Sequence, residues 1–498
     1  MREKEFILTL DIGTGATKAV AFDTDLRPVS IVRRHYPILV PQRGWSEQEP
    51  GVIWNAVLEA MREIISALPN GSHVLGISFS SQMYSILAVN SQGEALTHSL
   101  TWSDTRGAKI AQEIRRLPQA QQIYQNSGDP IDAIYPLTKI LWLQRNLELP
   151  AGVRFISIKE YVLYRLTGQF VVDWSVASAS GLFNVKTRRW DETALSLLHI
   201  TPAQLSEPVS PRHIVPGLDG EVARQVGLPV ETPLIIGGGD GPLASLGVGA
   251  CTPTVLAVNV GSSAAARLIV GEPWIDPDGK LYTQIADENL WVVGGIVSSG
   301  GIVYDWFLRN CMAKSAEFDA GTWLEEIHGN AERWASAVPA GADGVIFVPY
   351  LAGEQCPGWQ PETRGAFWGL DFRHQQGHLT RAVLEGITFS IYRIIERIQT
   401  TLALQFDEVR VSGGLTSSAV WLQIAADVFG YPIAVPDTTE GSARGAAVLA
   451  LLALGVYSTL EELTRRFDRE KRVLPQTDLL PLYREQYKRF LNLLQCSR

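Results

Sequence analysis

At 498 residues the chain is long enough for two large domains, since domains usually run about 100–200 residues, and 46% hydrophobic with 19% charged residues describes globular material with an ample core. A formal net charge of −9 argues against nucleic acid and anionic membranes as partners, because both call for basic surfaces. The four cysteines (Cys251, Cys311, Cys356, Cys496) and eight histidines show no paired spacing, so neither a disulfide framework nor a zinc site is expected.

Met1-Arg2-Glu3-Lys4-Glu5 runs straight into a strand without the apolar core of a signal peptide. The longest apolar run, 446–456, is too short to span a bilayer. A soluble protein of the reduced, cytoplasmic type is expected, with oligomeric state open and a homodimer among the alternatives. Residues 6–23 read as a β-hairpin whose turn is Asp11-Ile12-Gly13-Thr14-Gly15-Ala16-Thr17-Lys18. Ile31-Val32 starts another strand, and Glu49-Pro50 opens an amphipathic helix to about Ala67. Val74–Ser80 is a buried strand running into Ser81-Gln82-Met83-Tyr84-Ser85. Strand–helix–strand order indicates an α/β lobe, and a helical section follows over roughly 108–210.

Near residue 234 the pattern restarts. Leu234-Ile235-Ile236 reads as a strand, Gly237-Gly238-Gly239-Asp240-Gly241-Pro242 as a turn, and 243–249 as a helix. The stretch from Thr252 to Leu268 repeats the strand–turn–strand logic of the N-terminus, with Asn259-Val260-Gly261-Ser262-Ser263 as its turn. A boundary close to residue 250 gives lobes of 1–250 and 251–498. Long helices are expected near 300–335 and 377–404, a strand at 409–411, and a charged helical surface cap beyond 458.

A small-residue turn leaving a strand exposes backbone N–H groups, and Ser/Thr hydroxyls add donors; such concavities hold phosphate oxygens. Two such turns, one per half, suggest a polyphosphate gripped from both sides of a cleft, hence ATP chemistry. Asp11 at the strand end is placed to hold hydrated Mg²⁺, or to act as an Asx-turn residue. Lys18 reads better as a solvated lysine than as a phosphate ligand. Asp240, at a helix N-terminus after three glycines, is either the acceptor of an attacking hydroxyl's proton or an N-cap. The triple glycine, more than a cap needs, lets a ligand approach the backbone closely. Trp102-Ser103-Asp104-Thr105-Arg106 mixes an indole face, a carboxylate and a fork donor as polyol sites do; the competing reading is a surface Asp–Arg pair beside a core tryptophan. Gln82, Met83 and Tyr84 lie where open α/β sheets bind ligands, beyond a strand's carboxyl end, or are plain packing. Ser412-Gly413-Gly414 through Ser418 is a third glycine turn suited to a nucleotide.

Together these residues resemble the FGGY family of carbohydrate kinases, over nearly the whole chain. DIGTGATKAVAFD is similar to that family's first phosphate motif, and Pro136-Leu137-Thr138-Lys139-Ile140-Leu141-Trp142 to its first signature, with Ile134 where a Met is usual. Gly365–Leu370, followed by His378 and Glu385, resembles its second signature; Ser412 through Asp427 resembles its adenosine motif, and Glu440–Ala447 the segment that follows it. The resemblance implies an α/β fold of two duplicated ribonuclease-H-like lobes, as in actin and hexokinase, with an interlobe cleft. It implies ATP and Mg²⁺ as cofactors, Asp240 as catalytic base, and Asp11 with Asp240 at the metal. Gly13, Thr14, Gly15, Thr17, Gly261, Ser262, Gly300, Gly301, Gly413, Gly414 and Ser418 would serve the nucleotide. Gln82, Met83, Tyr84, Trp102, Asp104, Arg106, Lys139 and Asp240 would line the sugar pocket.

Within the family the likeness is strongest to gluconate kinases, carried by Phe155–Tyr161, Asp173–Phe183 and Tyr350–Pro357. It implies transfer of the γ-phosphate of ATP to a primary hydroxyl of an open-chain sugar acid, with xylulose or another ketose or polyol as the alternative. Arg106 is the expected partner of the substrate carboxylate, since a guanidinium grips it with two parallel bonds; Lys139 is the other candidate. Tyr84 stands where the subgroup usually has a histidine, and Ile131-Asp132-Ala133-Ile134 where His-Pro-Met is usual. Asp132 would repel a carboxylate if it faced the pocket. Two other classes share the superfamily fold or its ligands: a sugar-independent ATPase switch, and a sugar-sensing regulator, for which no helix-turn-helix or basic patch is seen.

Overall fold

The computed structural model describes residues 4–312, 323–465, 467 and 469–496. They fall into two compact α/β units. The first takes in the described parts of Met1–Gly249, Ile269–Val293 and Glu440–Arg466, and the second those of Ala250–Leu268, Gly294–Thr439 and Phe467–Arg498. The chain therefore re-enters the first unit twice, which a single cut at residue 250 does not describe.

The first unit is built on a six-stranded sheet in the order Ile214–Val215, Leu234–Gly239, Ser72–Ser81, Lys4–Ile12, Ala16–Asp23, Pro28–His35. Lys4–Ile12 and Ala16–Asp23 form the expected hairpin, with Asp11 opposite Lys18. Ser72–Ser81 runs parallel to Lys4–Ile12 and to Leu234–Gly239. Leu8, Leu10 and Ile12 are buried against the helix Pro50–Ser66, whose Ile53, Val57, Ala60, Met61 and Ile64 recur at three- and four-residue spacing on one face.

The second unit repeats this plan. Its strands lie in the order Arg469–Val473, Ile433–Pro436, Glu408–Gly413, Val255–Val260, Ala264–Val270. Val255–Val260 and Ala264–Val270 pair antiparallel across the second glycine turn, and Glu408–Gly413 runs parallel to Val255–Val260. Strand for strand, this is the hairpin, the first parallel neighbour, the second parallel neighbour and the antiparallel edge of the first unit.

Two elements differ from expectation. The strand Leu234–Gly239 continues through all three glycines, and the helix Asp240–Gly247 starts at once, with no separate turn. Gly238 and Gly239 stay in register with Ser80 and Ser81, because glycine is as content extended as turning. Beyond 458 a strand, Arg469–Val473, pairs antiparallel with Ile433–Pro436. Its charged sequence hides the strand, and charges are what edge strands carry. The last helix, Leu480–Cys496, lays one face onto the second unit, burying Tyr483, Tyr487, Phe490 and Leu494. Residues 313–322 of the helical stretch foreseen at 300–335 lie outside the described residues. Among the described residues no helix is long and apolar enough to cross a membrane.

Helical and short-strand segments between 108 and 209 complete the first unit around Leu137, Ile140, Leu143, Phe155 and Leu182. Its helix Ile158–Thr167 opens on a reciprocal capping box between Ser157 and Glu160. Burial pushes the Glu160 carboxyl up to about 7 from the ordinary 4.5, against the bond from Ser157 N–H that favours the anion. Between those two values the folded state binds more protons than the unfolded one, so stability falls as pH rises from about 4.5 to 7. Glu160→Gln keeps an oxygen for the cap and removes the titration. Its pH-stability curve is expected to be flatter over that window by on the order of 3 kcal/mol, as read by urea unfolding at pH 4.5 and pH 7; parallel curves for both proteins would refute this.

Candidate active site

The first glycine turn closes through Gly13 N–H donating to Ala16 O at 3.0 Å, and the second through Gly261 N–H donating to Ser263 O at 2.9 Å. Each unit thus closes a strand–turn–strand hairpin here, with four residues between the paired Ile12 and Thr17 and three between the paired Val260 and Ala264. At the end of the first strand Asp11 is 5% exposed. Lys18 Nζ lies 3.2 Å from Asp11 Oδ2 and 2.7 Å from Glu440 Oε2. Lys18 is therefore a bridge between two carboxylates rather than a solvated lysine. Burial opposes the ammonium, but Asp11 and Glu440 outweigh it and hold its pKa above the ordinary value. Asp11 Oδ1, in contrast, is buried with no hydrogen-bond partner among the described residues. A carboxylate with one oxygen anchored on Lys18 and the other bare fits a magnesium ion, which usually keeps several waters and takes only one or two carboxylates. No group of three or more His, Cys, Asp or Glu suited to a metal occurs among the described residues.

Asp240 sits two strands from Asp11. Asp11 is level with Ser80, and Ser80 with Gly238, across adjacent parallel strands. At about 4.8 Å per strand the two strand ends are roughly 10 Å apart. Gly237 has a φ of +68°, and a Cβ there would lie 1.9 Å from Phe79 O. A Cβ on Gly239 would lie 2.7 Å from Met83. Gly237 and Gly239 are thus demanded by the protein's own close packing. The Asp240 helix is seated equally closely: a Cβ on Gly445 of the helix Gly441–Ala453 would meet Leu243 O at 2.0 Å.

Several residues expected to touch ligands are instead spent on the scaffold. Thr14 Oγ1 accepts from Trp102 Nε1 at 3.0 Å and donates to Gln82 Oε1 at 3.2 Å. Gln82 Nε2 in turn donates to Gln48 Oε1. Thr14 thereby ties the first glycine turn to Trp102 and Gln82. Thr17 is fully buried against Tyr36 Oη and cannot reach a nucleotide. Lys139, also fully buried, donates to the carbonyls of Tyr84, Thr101 and Ile134 at 2.7–2.9 Å. All three of its N–H bonds are used, so it pins three loops and offers no charge to a carboxylate.

Arg106 is likewise enclosed, with 3% of its side chain exposed. Its Nε and Nη2 bond Asp104, and Nη2 also reaches Glu47 Oε1 at 2.6 Å. The guanidinium carbon lies 3.9 Å from the Trp45 ring centroid and 4.8 Å from that of Trp142. Asp104 Oδ2 accepts from Ser46 N–H as well. The Asp–Arg pair beside tryptophans is therefore the reading the geometry favours, buried rather than on the surface. Of that segment Trp102 remains the partly exposed wall. Met83 packs against Gly239, while Tyr84 Oη accepts from Gln284 Nε2 at 3.0 Å with Tyr135 edge-on at 5.4 Å. Asp132 is paired within the protein. Arg115 Nη2 bonds it at 3.0 Å, and burial raises its pKa against that pull.

The second unit holds a cavity of about 640 Å³, the size of a small-molecule site. Gly261, Ser262, Gly301, Gly414 and Ser418 line it, with Tyr304 and Trp421 as an aromatic wall. Gly300 and Gly413 stand behind it, where backbone crowding demands glycine: a Cβ on Gly300 would meet Ser263 at 2.5 Å, and one on Gly413 would meet Val260 O at 2.3 Å. Gly301 and Ile302 donate their N–H groups to Gly261 O and Ser262 O, which fastens the turn to the helix Gly301–Phe307. Glu332 clamps the opposite side, accepting from Ser418 Oγ and from Val420 N–H.

Comparison with known proteins agrees with this double architecture. Residues 6–247 match the N-terminal domain, and 256–454 the C-terminal domain, of the FGGY family of carbohydrate kinases. The chain belongs to that family. It is thus a phosphotransferase with an alcohol group as acceptor, acting on a small carbohydrate with ATP, the donor this family uses. Gluconokinase from Bacillus subtilis (strain 168) is 35% identical over 491 residues, 98% of this chain and 95% of that protein. The crystal structure of gluconate kinase from Lactobacillus acidophilus superposes with a TM-score of 0.93 at 32% identity, covering 99% of this chain and 98% of that one. A ligand-bound xylulose kinase from the same organism gives 0.92 at 32% identity, with the same coverage.

Some positions of this FGGY kinase escaped the sequence reading. Glu47, Gln48 and Trp45 brace the sugar motifs from a segment with no motif of its own, and Glu332 lies 86 residues from the cap it holds. Lys159 alone carried a signal, a lysine between Phe155-Ile156 and Tyr161-Val162-Leu163.

Proposed function

We propose that this FGGY kinase transfers the γ-phosphate of ATP to the primary hydroxyl of D-gluconate. The observation that carries the reading is the 35% identity to a gluconokinase along 98% of the chain. The pairing of Asp132 with Arg115 supports it, since it removes the one charge foreseen to oppose a sugar acid.

In this reading Asp240 accepts the proton of the attacking hydroxyl, and its place in the first turn of Asp240–Gly247 favours the ionised form. The cavity beside Gly261 and Ser262 receives the phosphates, and Tyr304 and Trp421 the apolar face of the nucleotide. Asp11, with its Oδ1 unpartnered, would hold Mg²⁺, which would supply charge neutralisation on the phosphates. Gln82, Met83 and Trp102 wall the sugar site. What the chain supplies is position and charge, which is most of what phosphoryl transfer needs.

Xylulose is the second reading, favoured by one observation: both cations foreseen for a carboxylate, Arg106 and Lys139, are occupied within the protein. Release of ADP, followed with gluconate, xylulose, ribulose, glycerol and erythritol and with no sugar, separates the readings. Gluconate is expected to give the highest kcat/KM, and the sugar-free rate to be slow, since closure over substrate completes such sites. Sugar-free turnover as fast as the best sugar would instead mark an ATPase.

A further inference from the structure

The peptide unit between Gly238 and Gly239, immediately before Asp240, is held at both poles by buried side chains. Lys159 Nζ donates to Gly238 O at 3.2 Å, and Gly239 N–H donates to Ser175 Oγ at 3.1 Å. Lys159 is 1% exposed and Ser175 fully buried. Lys159 is itself fixed by Asp173 Oδ2 at 2.7 Å, and Asp173 Oδ1 caps the short helix Trp174–Ser178 that carries Ser175, accepting from Val176 N–H at 2.8 Å. One carboxylate thus sets both the lysine and the serine.

Such a grip has a reason. A Gly–Gly peptide has little steric barrier to rotating about its flanking φ and ψ angles, and here it joins a strand irregularity between Ile235 and Gly238 to a helix that begins at the next residue. A rotation of that peptide would swing the Asp240 Cα and reaim its carboxylate. Losing about 1 Å of alignment costs up to ~100-fold in rate.

We infer that Lys159 and Ser175 are positioning residues for the transfer step, locking the Gly238–Gly239 peptide so that Asp240 is aimed at the acceptor hydroxyl. The inference rests on the reading of Asp240 as the base. Neither side chain touches substrate, so their removal acts on kcat and leaves KM for both substrates near wild type.

The test uses Ser175→Ala, which keeps the Lys159–Asp173 pair intact, and Lys159→Met with Asp173→Asn, which strands no buried charge. Folding is checked by circular dichroism and thermal melting. Ser175→Ala is expected to lower kcat for ATP-dependent phosphorylation of the best sugar at least ~10-fold, within the range for misplacement, with KM changed less than about twofold. In an Asp240→Asn background the same serine change should make no further difference, because the group it aims is gone. A wild-type kcat for Ser175→Ala, or an equal fractional loss in the Asp240→Asn background, overturns the inference. Wild-type turnover in Asp240→Asn alone overturns the base assignment and the inference with it. An inactive Asp240→Asn beside a fully active Ser175→Ala overturns the inference only.

Discussion

Asp240→Asn is expected to keep the fold and nucleotide binding while phosphoryl transfer falls by about 10²–10⁴-fold, the share a positioned general base supplies. The substitution preserves shape at the first residue of Asp240–Gly247 and removes only the proton acceptor. The cavity lined by Gly261, Ser262 and Gly414 belongs to the other unit and is untouched, so ADP affinity by calorimetry should match wild type. Retention of more than about a tenth of wild-type turnover, below the smallest loss a general base implies, would remove Asp240 from its role.

Arg106→Ala is the change expected to cost most in stability. Asp104 is 1% exposed, and removing its partner leaves that carboxylate buried without its guanidinium and Glu47 with His98 as its remaining basic partner. Breaking a buried pair in this way costs about 3–5 kcal/mol. The loss of stacking on Trp45 and Trp142 adds to it. Urea unfolding should show the loss directly, and any rise in KM for sugar should follow from a disturbed Trp102 rather than from a missing carboxylate ligand. A variant as stable as wild type with a tenfold higher KM for gluconate alone would restore Arg106 as a substrate contact. Arg106→Lys should recover only part of the stability, since an ammonium cannot reproduce the planar fork.

The two glycine turns were legible because each follows an apolar strand and each recurs in the same local frame. The parallel pairing of Lys4–Ile12 with Ser72–Ser81 and of Val255–Val260 with Glu408–Gly413 is that repetition in space. Less legible was what a polar side chain does when enclosed. Thr14, Thr17, Lys139 and Arg106 have the chemistry of ligand contacts, and sequence cannot show that their donors and acceptors are taken by Trp102, Tyr36, three carbonyls and Asp104. The strand Arg469–Val473 was missed for a related reason, since an edge position tolerates charges that resemble a solvated helix. The interleaving of 269–293 and 440–466 into the first unit leaves no local mark at all.

The most direct test of the account incubates the enzyme with ATP, Mg²⁺ and equal concentrations of gluconate and xylulose, and follows both products by ³¹P and ¹³C NMR. The predicted result is phosphate on the C6 oxygen of gluconate as the dominant product, formed together with ADP and absent when Asp240→Asn replaces the wild type. Phosphoxylulose as the dominant product would contradict the gluconate assignment, and ADP without any sugar phosphate would contradict the kinase itself.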